Sequence, residues 1–563
     1  MRRLAALAVL SSACSWFESA PPPPPQPAPQ AAPVGDTLVV ASPGDYANLN
    51  PVVYESPIEG SVVAALNLPL VTDGFDCALK SSPGLATSWE WSPDGLILTM
   101  HLRTDILWAD GTPVTASDVV FTYDLVRDPT VASPRRSFVA RMAPGTPTAL
   151  DAHTVEFQFT KAYDRSAQLA HASLTPVPKA LFANADRGTL RGHPASLRPM
   201  GDGPFNVTAH APGKGWTLEP NTTYVGADKP HLAKIDFRVM PSAAERLEAL
   251  KAGTVDWVDG LEIADADAVR AARPDVRIVA RGFRANDYVA WNTRLPLFAD
   301  KGVRRALALA VNVDALIGSL LTGADGTAYG KRMVGTISPE LCAARAEDLA
   351  PLPYDPEGAA TLLTSLGWRD TNADGVLDKD GVKFAFTLRT NVGNTRRQAA
   401  AAAIQADLRK VGIEVTVQPL DGTSLFEALR THDFEAALAG WNAALFIDPT
   451  SFWHSDTPDH PAESNFTGYA NADVDRLIEQ GVATADPAVA GPIWQDVQRR
   501  VYDDQPYLFL WWREDLVAVD GRFEHTTIDM LGSLGRLSEW DVPADKIKYK
   551  PTPPAPETPP AQP

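Results

Sequence analysis

Cysteine is scarce in this chain: 563 residues carry three, Cys14, Cys77 and Cys342. No Cys-x-x-Cys spacing occurs, so neither a redox dithiol nor a cysteine-based zinc site is supported. Cys77 and Cys342 stand either as separate thiols or as a pair in an oxidising compartment, and pairing requires Cα atoms within roughly 7 Å. Positive charge is also short, with 50 Lys and Arg against 69 Asp and Glu and a net charge of -19. That balance argues against nucleic acid, whose phosphates demand basic side chains. It favours solubility and leaves the partner open. Enzyme signatures are missing too. There is no Gly-x-x-x-x-Gly-Lys-Ser/Thr loop, no His-Glu-x-x-His and no Gly-x-Ser-x-Gly elbow, and the ten histidines are scattered. No repeat of solenoid period is visible.

What is present is apolar mass and proline. Hydrophobic residues make up 45% of the chain, enough for more than one core. At about 150 residues per unit, three or four compact units are expected. Arg2 and Arg3 precede an apolar run, Leu4 to Leu10, and then the small residues Ser11, Ser12 and Ala13. This is the order of an export signal, and the apolar run is far too short to span a bilayer. Cys14 follows at the expected cut. The arrangement resembles a bacterial lipoprotein signal, which implies lipidation of Cys14 and a membrane anchor. Ser11 departs from that pattern, which prefers Leu there. Residues 20–33 are almost entirely Pro, Ala and Gln. They read as an extended spacer of about 3.1 Å per residue. The Pro-rich stretch 549–563 reads as a disordered tail. The body is therefore about 36–548.

Within the body, Thr37–Ala41 reads as a strand, and Ile97–Arg103 as a strand after the hairpin turn Ser92-Pro-Asp-Gly95. Val155–Phe159 alternates as a strand. Ala243–Gly253 reads as a helix with a glycine cap, and Val255–Val258 as the strand that follows. Gly302–Leu321 reads as one long helix, and Arg396–Val411 as another before the strand Ile413–Val417. Helix then strand, repeated, predicts an α/β body. Asp370, Asn372 and Asp374 alternate before Gly375 as oxygen ligands do in a calcium loop, with Asp378 next, so Ca2+ is a possible cofactor. Gly381 stands where such a loop needs a glutamate. Trp453 to His460 puts two histidines and two aspartates in one loop, a weaker metal candidate. Among the 14 tryptophans, Trp108, Trp216, Trp291 and Trp441 fall in probable loops and are candidates for a cleft wall.

Ordered motifs then carry a family resemblance. They are Asn48-Leu-Asn-Pro51, Pro83 to Gly95, Leu102-Arg103, Trp108 to Val119, Gly201-Asp-Gly-Pro-Phe205, Pro220-Asn-Thr-Thr-Tyr224, Val303-Arg-Arg-Ala-Leu307, Tyr354-Asp-Pro356 with Gly367-Trp368, and Gly440-Trp441 with Asp448-Pro449. Their order resembles the extracytoplasmic solute-binding proteins, family 5, of the oligopeptide, dipeptide and nickel importers. The resemblance implies a two-lobed periplasmic-binding-protein-like α/β fold, with a hinge and an extra subdomain in lobe one. The expected division is a signal peptide at 1–13, lipidated Cys14 plus spacer at 14–35, and lobe one at 36–283 with its subdomain at about 68–187. Lobe two then takes 284–504, a return to lobe one 505–548, and the tail 549–563. No catalysis is expected. The implied role is capture of a peptide or similar small solute and delivery to ABC permease and ATPase subunits. The protein would be a monomer, exported and lipid-anchored. A chaperone or signalling receptor, or a binder of a nickel chelate or oligosaccharide, is the alternative on the same fold.

The resemblance also proposes contacts. Peptide-binding members hold the ligand ammonium with an aspartate three residues after the Gly-Trp tryptophan, and here that position is Ala444. Either another acid compensates, Glu55 or Asp287, or the solute lacks a free amine. Arg396 or Arg397 lies where dipeptide binders carry an arginine for the peptide carboxylate. Tyr54, Glu55, Ser56, Trp291, Asn292, Trp441 and Asn442 complete the expected substrate-binding set.

Overall fold

The computed structural model describes residues 35–73, 81–226, 229–341, 344–443, 447–458 and 462–549. Cys14, Cys77, Cys342 and Ala444, the spacer, most of the tail and part of the Trp453–His460 loop lie outside them.

One sheet of 11 strands runs through both halves of the molecule. At one end Thr37–Ser42 pairs in parallel with Lys234–Val239, and Gly215–Pro220 and Phe205–Ala211 extend that edge. At the other end Ala385–Asn391 lies parallel between Glu414–Leu420 and Ala436–Ala439. Two long antiparallel strands, Val276–Trp291 and Tyr507–Asp520, join the ends. Each half packs apolar residues on both faces of its part of the sheet. Both faces are therefore covered, as parallel strands require, and these are the two lobes. A third core, drawn from residues between Val52 and Leu190, belongs to a separate unit. Its four-stranded antiparallel sheet contains Ala86–Trp91, Ile97–Leu102, Thr154–Gln158 and Thr148–Asp151. Among the described residues, no helix is long and apolar enough to cross a membrane.

The chain leaves lobe one inside the first long strand, where the ladder breaks register between Ala280 and Phe283, Phe283 and Ala285, and Asp287 and Tyr288. Arg284 lies in that stretch. The return comes later than expected at 505. Gln505 caps the helix Pro487–Asp504 in a left-handed conformation. Residues Tyr507 to Trp512 still pack in lobe-two cores, and lobe-one packing starts at Leu516 and Val517. The last register break makes Leu510 the extra residue, since Tyr288 faces Phe509 while Asp287 faces Trp511. Such a bulge re-aims the side chains that follow it. Trp511 thereby joins Leu508 and Leu510 in one core, and Trp512 joins Tyr507 and Phe509 in the other.

Two further differences have local causes. The expected helix Gly302–Leu321 is two, Lys301–Ala310 and Val313–Leu320. β-Branched Val311 is extended at the break, and the Asn312 side chain accepts the Ala315 amide to cap the second helix. The strand expected at Val255 begins at Trp257.

Two expected motifs meet at the edge of the small unit. The Ala109 amide donates to the Gly201 carbonyl at 3.0 Å. Gly201 and Gly203 lie so close to the Leu66 backbone that a Cβ at either would collide with it. Between them Asp202, 1% exposed, accepts the Leu68 amide through Oδ1 at 2.9 Å. Its Oδ2 has no partner among the described residues.

The two ends of the body are tied together in lobe one. Asp36 accepts the amides of Thr37, Lys548 and Tyr549 at 2.7, 2.8 and 2.7 Å. Buried Arg522 bridges Asp36 and Asp256 at 2.9 and 2.7 Å.

Candidate functional site

Strand Ala436–Ala439 of lobe two ends at Gly440, and the next residues turn back onto the first long strand. The Asn286 amide donates to the Trp441 carbonyl at 2.9 Å, and the Ala443 amide to the Arg284 carbonyl at 2.8 Å. Arg284 Nε returns a bond to the Ala443 carbonyl at 2.8 Å. The segment is thus stitched to the passage between the lobes.

Beside it opens a recess of about 640 Å3, its mouth included. Its walls are largely aromatic. Trp441 meets Phe452 edge-on at 5.2 Å and stacks on Phe466 at 5.5 Å. Trp453 meets Tyr507 at 4.7 Å, and Tyr507 stacks on Tyr288 at 3.8 Å. Burial pushes the Tyr507 hydroxyl up to about 12, so it stays a neutral hydrogen-bonding group. Met333 and Ile337 close the far side. The rim carries Asp448, which forms an ion pair with Arg141 of the small unit. A second contact between the same regions is the Arg165 amide on the Ala485 carbonyl at 3.1 Å. The recess therefore lies where lobe two meets lobe one.

Deeper in the passage, Asp287 is 0% exposed. It accepts from Arg397 Nε at 2.8 Å, Arg396 Nε at 3.2 Å and Trp511 Nε1 at 2.9 Å. Burial alone would raise its pKa, but the Arg397, Arg396 and Arg513 guanidiniums outweigh that and hold it below the usual carboxylate range. Both long strands and the lobe-two helix Thr395–Lys410 are tied at this one carboxylate. Gly440 lies against it, and a Cβ there would strike the Asn286 carbonyl, Arg397 Nη2 and Asp287 Oδ1. Gly440→Ala is expected to loosen the ion pairs and to lower the denaturant midpoint by about 1–3 kcal/mol equivalent. A chemical denaturation curve coincident with the parent's would refute this. A second, more polar recess of about 680 Å3 lies nearby, with Arg396, Arg513 and Asp515 in its wall.

Of the expected contacts, Trp441 and Asn442 line the aromatic recess and Arg396 lines the polar one. The other expected contacts are placed elsewhere. Trp291 is fully buried in the lobe-two core, stacked on Phe298 at 5.2 Å, so it presents no surface to a solute. Asn292 spends its amide on the His432 and Phe434 carbonyls at 3.1 and 2.8 Å. Ser56 caps the helix Pro57–Leu66 in a capping box with Glu59. Tyr54 lies under the Arg135 guanidinium at 3.5 Å, and Glu55 pairs with Arg191 at 2.8 Å. Glu55 and Asp287 are thus already paired, and neither is spare for an ammonium. Trp108 and Trp216 are core residues. In the 370–378 turn, Asp370 and Asp374 accept the amides of Gly375 and Val376 at 2.9 and 3.0 Å. Asn372 Oδ1 accepts the Asp374 amide at 3.0 Å, and the Lys383 ammonium sits on Asp374. Among the described residues, no three His, Cys, Asp or Glu are grouped to hold an ion.

Sequence reasoning missed Arg141, Asn286, Phe452, Tyr507 and the loop from Met333 to Leu341. None stands in a motif with local spacing. The one available signal was Asp448 in the Asp448-Pro449 motif, a residue type that forms turns. It does so here, with Oδ1 accepting the Thr450 amide at 3.2 Å, and is an ion-pair partner besides.

Comparison with known proteins agrees with this architecture. Residues 80–462 match the model of bacterial extracellular solute-binding proteins, family 5, middle region. The oligopeptide-binding protein AppA of Bacillus subtilis is 28% identical over 542 residues, covering 95% of this chain and 97% of that protein. The probable D,D-dipeptide-binding periplasmic protein DdpA of Escherichia coli is 25% identical, covering 88% and 92%. The structure of Bacillus subtilis AppA in complex with a nonapeptide superposes with a TM-score of 0.71 at 26% identity, covering 91% and 100%. NikZ of Campylobacter jejuni in complex with Ni(L-His) shares the fold, with a TM-score of 0.73 at 23% identity over 90% and 99%. The chain belongs to the bacterial extracellular solute-binding proteins of family 5.

Proposed function

We propose that this chain is the peptide-capturing component of an ABC importer, closing two lobes over its solute and presenting it to membrane permease and ATPase subunits. The observation that carries this reading is the aromatic recess at the contact between lobes joined by the two long strands. Relatives named for oligopeptide and dipeptide binding support it, as does the nonapeptide complex of AppA. Mass spectrometry of ligand released from gently purified protein tests it directly. Peptides in the eluate are expected; a non-peptide solute alone, or turnover of the solute, would end the reading.

Closure is expected to depend on Arg141. The pair with Asp448 forms only when the lobes meet, so Arg141→Ala removes a contact of the closed state and not of the open one. Both partners keep some solvent exposure, so the expected loss is about 3- to 10-fold in affinity, or about 1 kcal/mol. Exchanging the two charges, Arg141→Asp with Asp448→Arg, should restore it. Calorimetry with a released peptide gives the affinities, and equal values for the parent and Arg141→Ala would refute the role.

Lipid attachment at Cys14 and a cell-surface or periplasmic location belong to the same proposal. Support comes from the charged, apolar and small order of residues 2–13 and the proline-rich spacer after it. Incorporation of labelled palmitate that is lost in Cys14→Ser tests this.

A further inference from the structure

The aromatic recess carries almost no usable charge. Among the described residues its one acidic or basic wall residue is Asp448, which is paired with Arg141. The described residues of its near wall, Trp441, Asn442 and Ala443, carry no ionisable side chain. Of the polar groups, Ser338 Oγ is spent on the Phe283 carbonyl at 2.8 Å. Thr336 Oγ1 is buried with no partner among the described residues. Asn286 and Asn442 are polar but uncharged, and the rest of the lining is apolar or aromatic, with Trp441, Phe452, Trp453, Tyr507, Met333 and Ile337 the largest groups. Ring faces and a flexible thioether accept flat or branched apolar groups at little geometric cost. An ammonium or carboxylate placed among them would lose its water and find no free counter-charge.

We infer that this recess selects an uncharged side chain, aromatic or branched aliphatic, on the captured peptide, and that it is not the seat of the peptide's amino terminus. The inference rests on the peptide reading above. Apolar selectivity resides in lobe two, because all the walls named belong to residues 333–507. Lobe one contributes the Arg141 that neutralises the rim. Thr336 supplies one hydrogen bond at the recess edge, enough to orient a main-chain group.

The test is a pentapeptide panel on an alanine background, with Phe, Leu, Lys or Asp placed at each position in turn, titrated calorimetrically into ligand-stripped full-length protein. At one position Phe and Leu are expected to bind at least 10-fold tighter than Lys and Asp. Ile337→Asp, checked for an unchanged melting curve, should abolish that preference. If it does not fold, Trp441→Ala should weaken Phe more than Leu. Peptides that bind with no such preference, or that favour Lys or Asp at every position, overturn the inference and leave the peptide reading standing. A parallel arm uses N-acetyl-phenylalaninamide and N-acetyl-lysinamide, followed by tryptophan fluorescence. If no peptide binds but the phenylalanine probe saturates and the lysine probe does not, the recess assignment stands and the peptide reading falls. If neither peptides nor probes bind, both fall.

Discussion

Asp287→Ala is expected to lower stability by about 3–5 kcal/mol. The cost follows from what remains behind. Arg396 and Arg397 lie against Asp287, and both are largely buried, with side-chain exposures of 12% and 17%. Removing the carboxylate strands two guanidiniums and the Trp511 indole N–H in a site with little water. Breaking one partner of a buried ion pair costs about this much, whereas replacing the whole group with apolar residues is often neutral. The triple variant Asp287→Ala, Arg396→Met, Arg397→Met should therefore recover most of the loss. The pH dependence has a definite sign. A carboxylate held below its unfolded value stabilises the fold above that value, near 4, and ceases to do so as pH falls through the lower folded value. Guanidinium denaturation of the three proteins at pH 7 measures the effect. A single variant as stable as the parent would show that Asp287 does not organise the passage between the lobes.

Asp202 should have the opposite pH signature. It is enclosed between Gly201 and Gly203, and burial pushes its carboxyl up to about 7, with Asp118 adding repulsion. Two amides, those of Leu68 and Asp202 itself, pull only weakly the other way. A group with a raised folded value favours folding in its protonated form. Its full contribution is present below about 4 and is lost as pH rises through 7. The span amounts to at most about 4 kcal/mol at pH 8. Asp202→Asn keeps an acceptor for Leu68 and removes the ionisation, at the cost of about 1–3 kcal/mol for an unpaired buried amide N–H. The expected result is a variant that is less stable than the parent at pH 4 and more stable at pH 8, by roughly 1–3 kcal/mol in each direction. Parallel stability–pH curves for the two proteins would refute the assignment.

The outline of the fold was legible because its signals are local. The Ser92–Gly95 turn, with Gly95 at φ 69°, and the helix Thr395–Lys410 followed by its strand are written in neighbouring residues. Trp441, a loop tryptophan after a strand, was named for the cleft wall on the same local grounds, and it lines the aromatic recess. Trp291 shows the limit. It also ends a strand, but which face it takes depends on pairing with Tyr507–Asp520, and there the register breaks three times. The partners that matter most are distant in sequence. Asp287 lies 109 residues from Arg396, and Arg141 lies 307 residues from Asp448. Charge identity was visible in each case; the pairing that cancels it was not. Ser56 was expected at the solute, but no helix was read after it, and its cap function competes directly with a role in binding.

The arrangement at Asp36 makes the body a closed ring of chain. Its beginning and its end are held by the same carboxylate through the amides of Thr37, Lys548 and Tyr549. Where the ring is cut matters little, provided the two long strands stay whole. A circular permutant that links residue 549 to residue 35 through a short Gly-Ser bridge, and opens within the exposed residues 372–375, should fold and bind as the parent does. In that permutant the covalent start and finish would lie in lobe two, so a membrane tether fused there would hold lobe two and leave lobe one to swing.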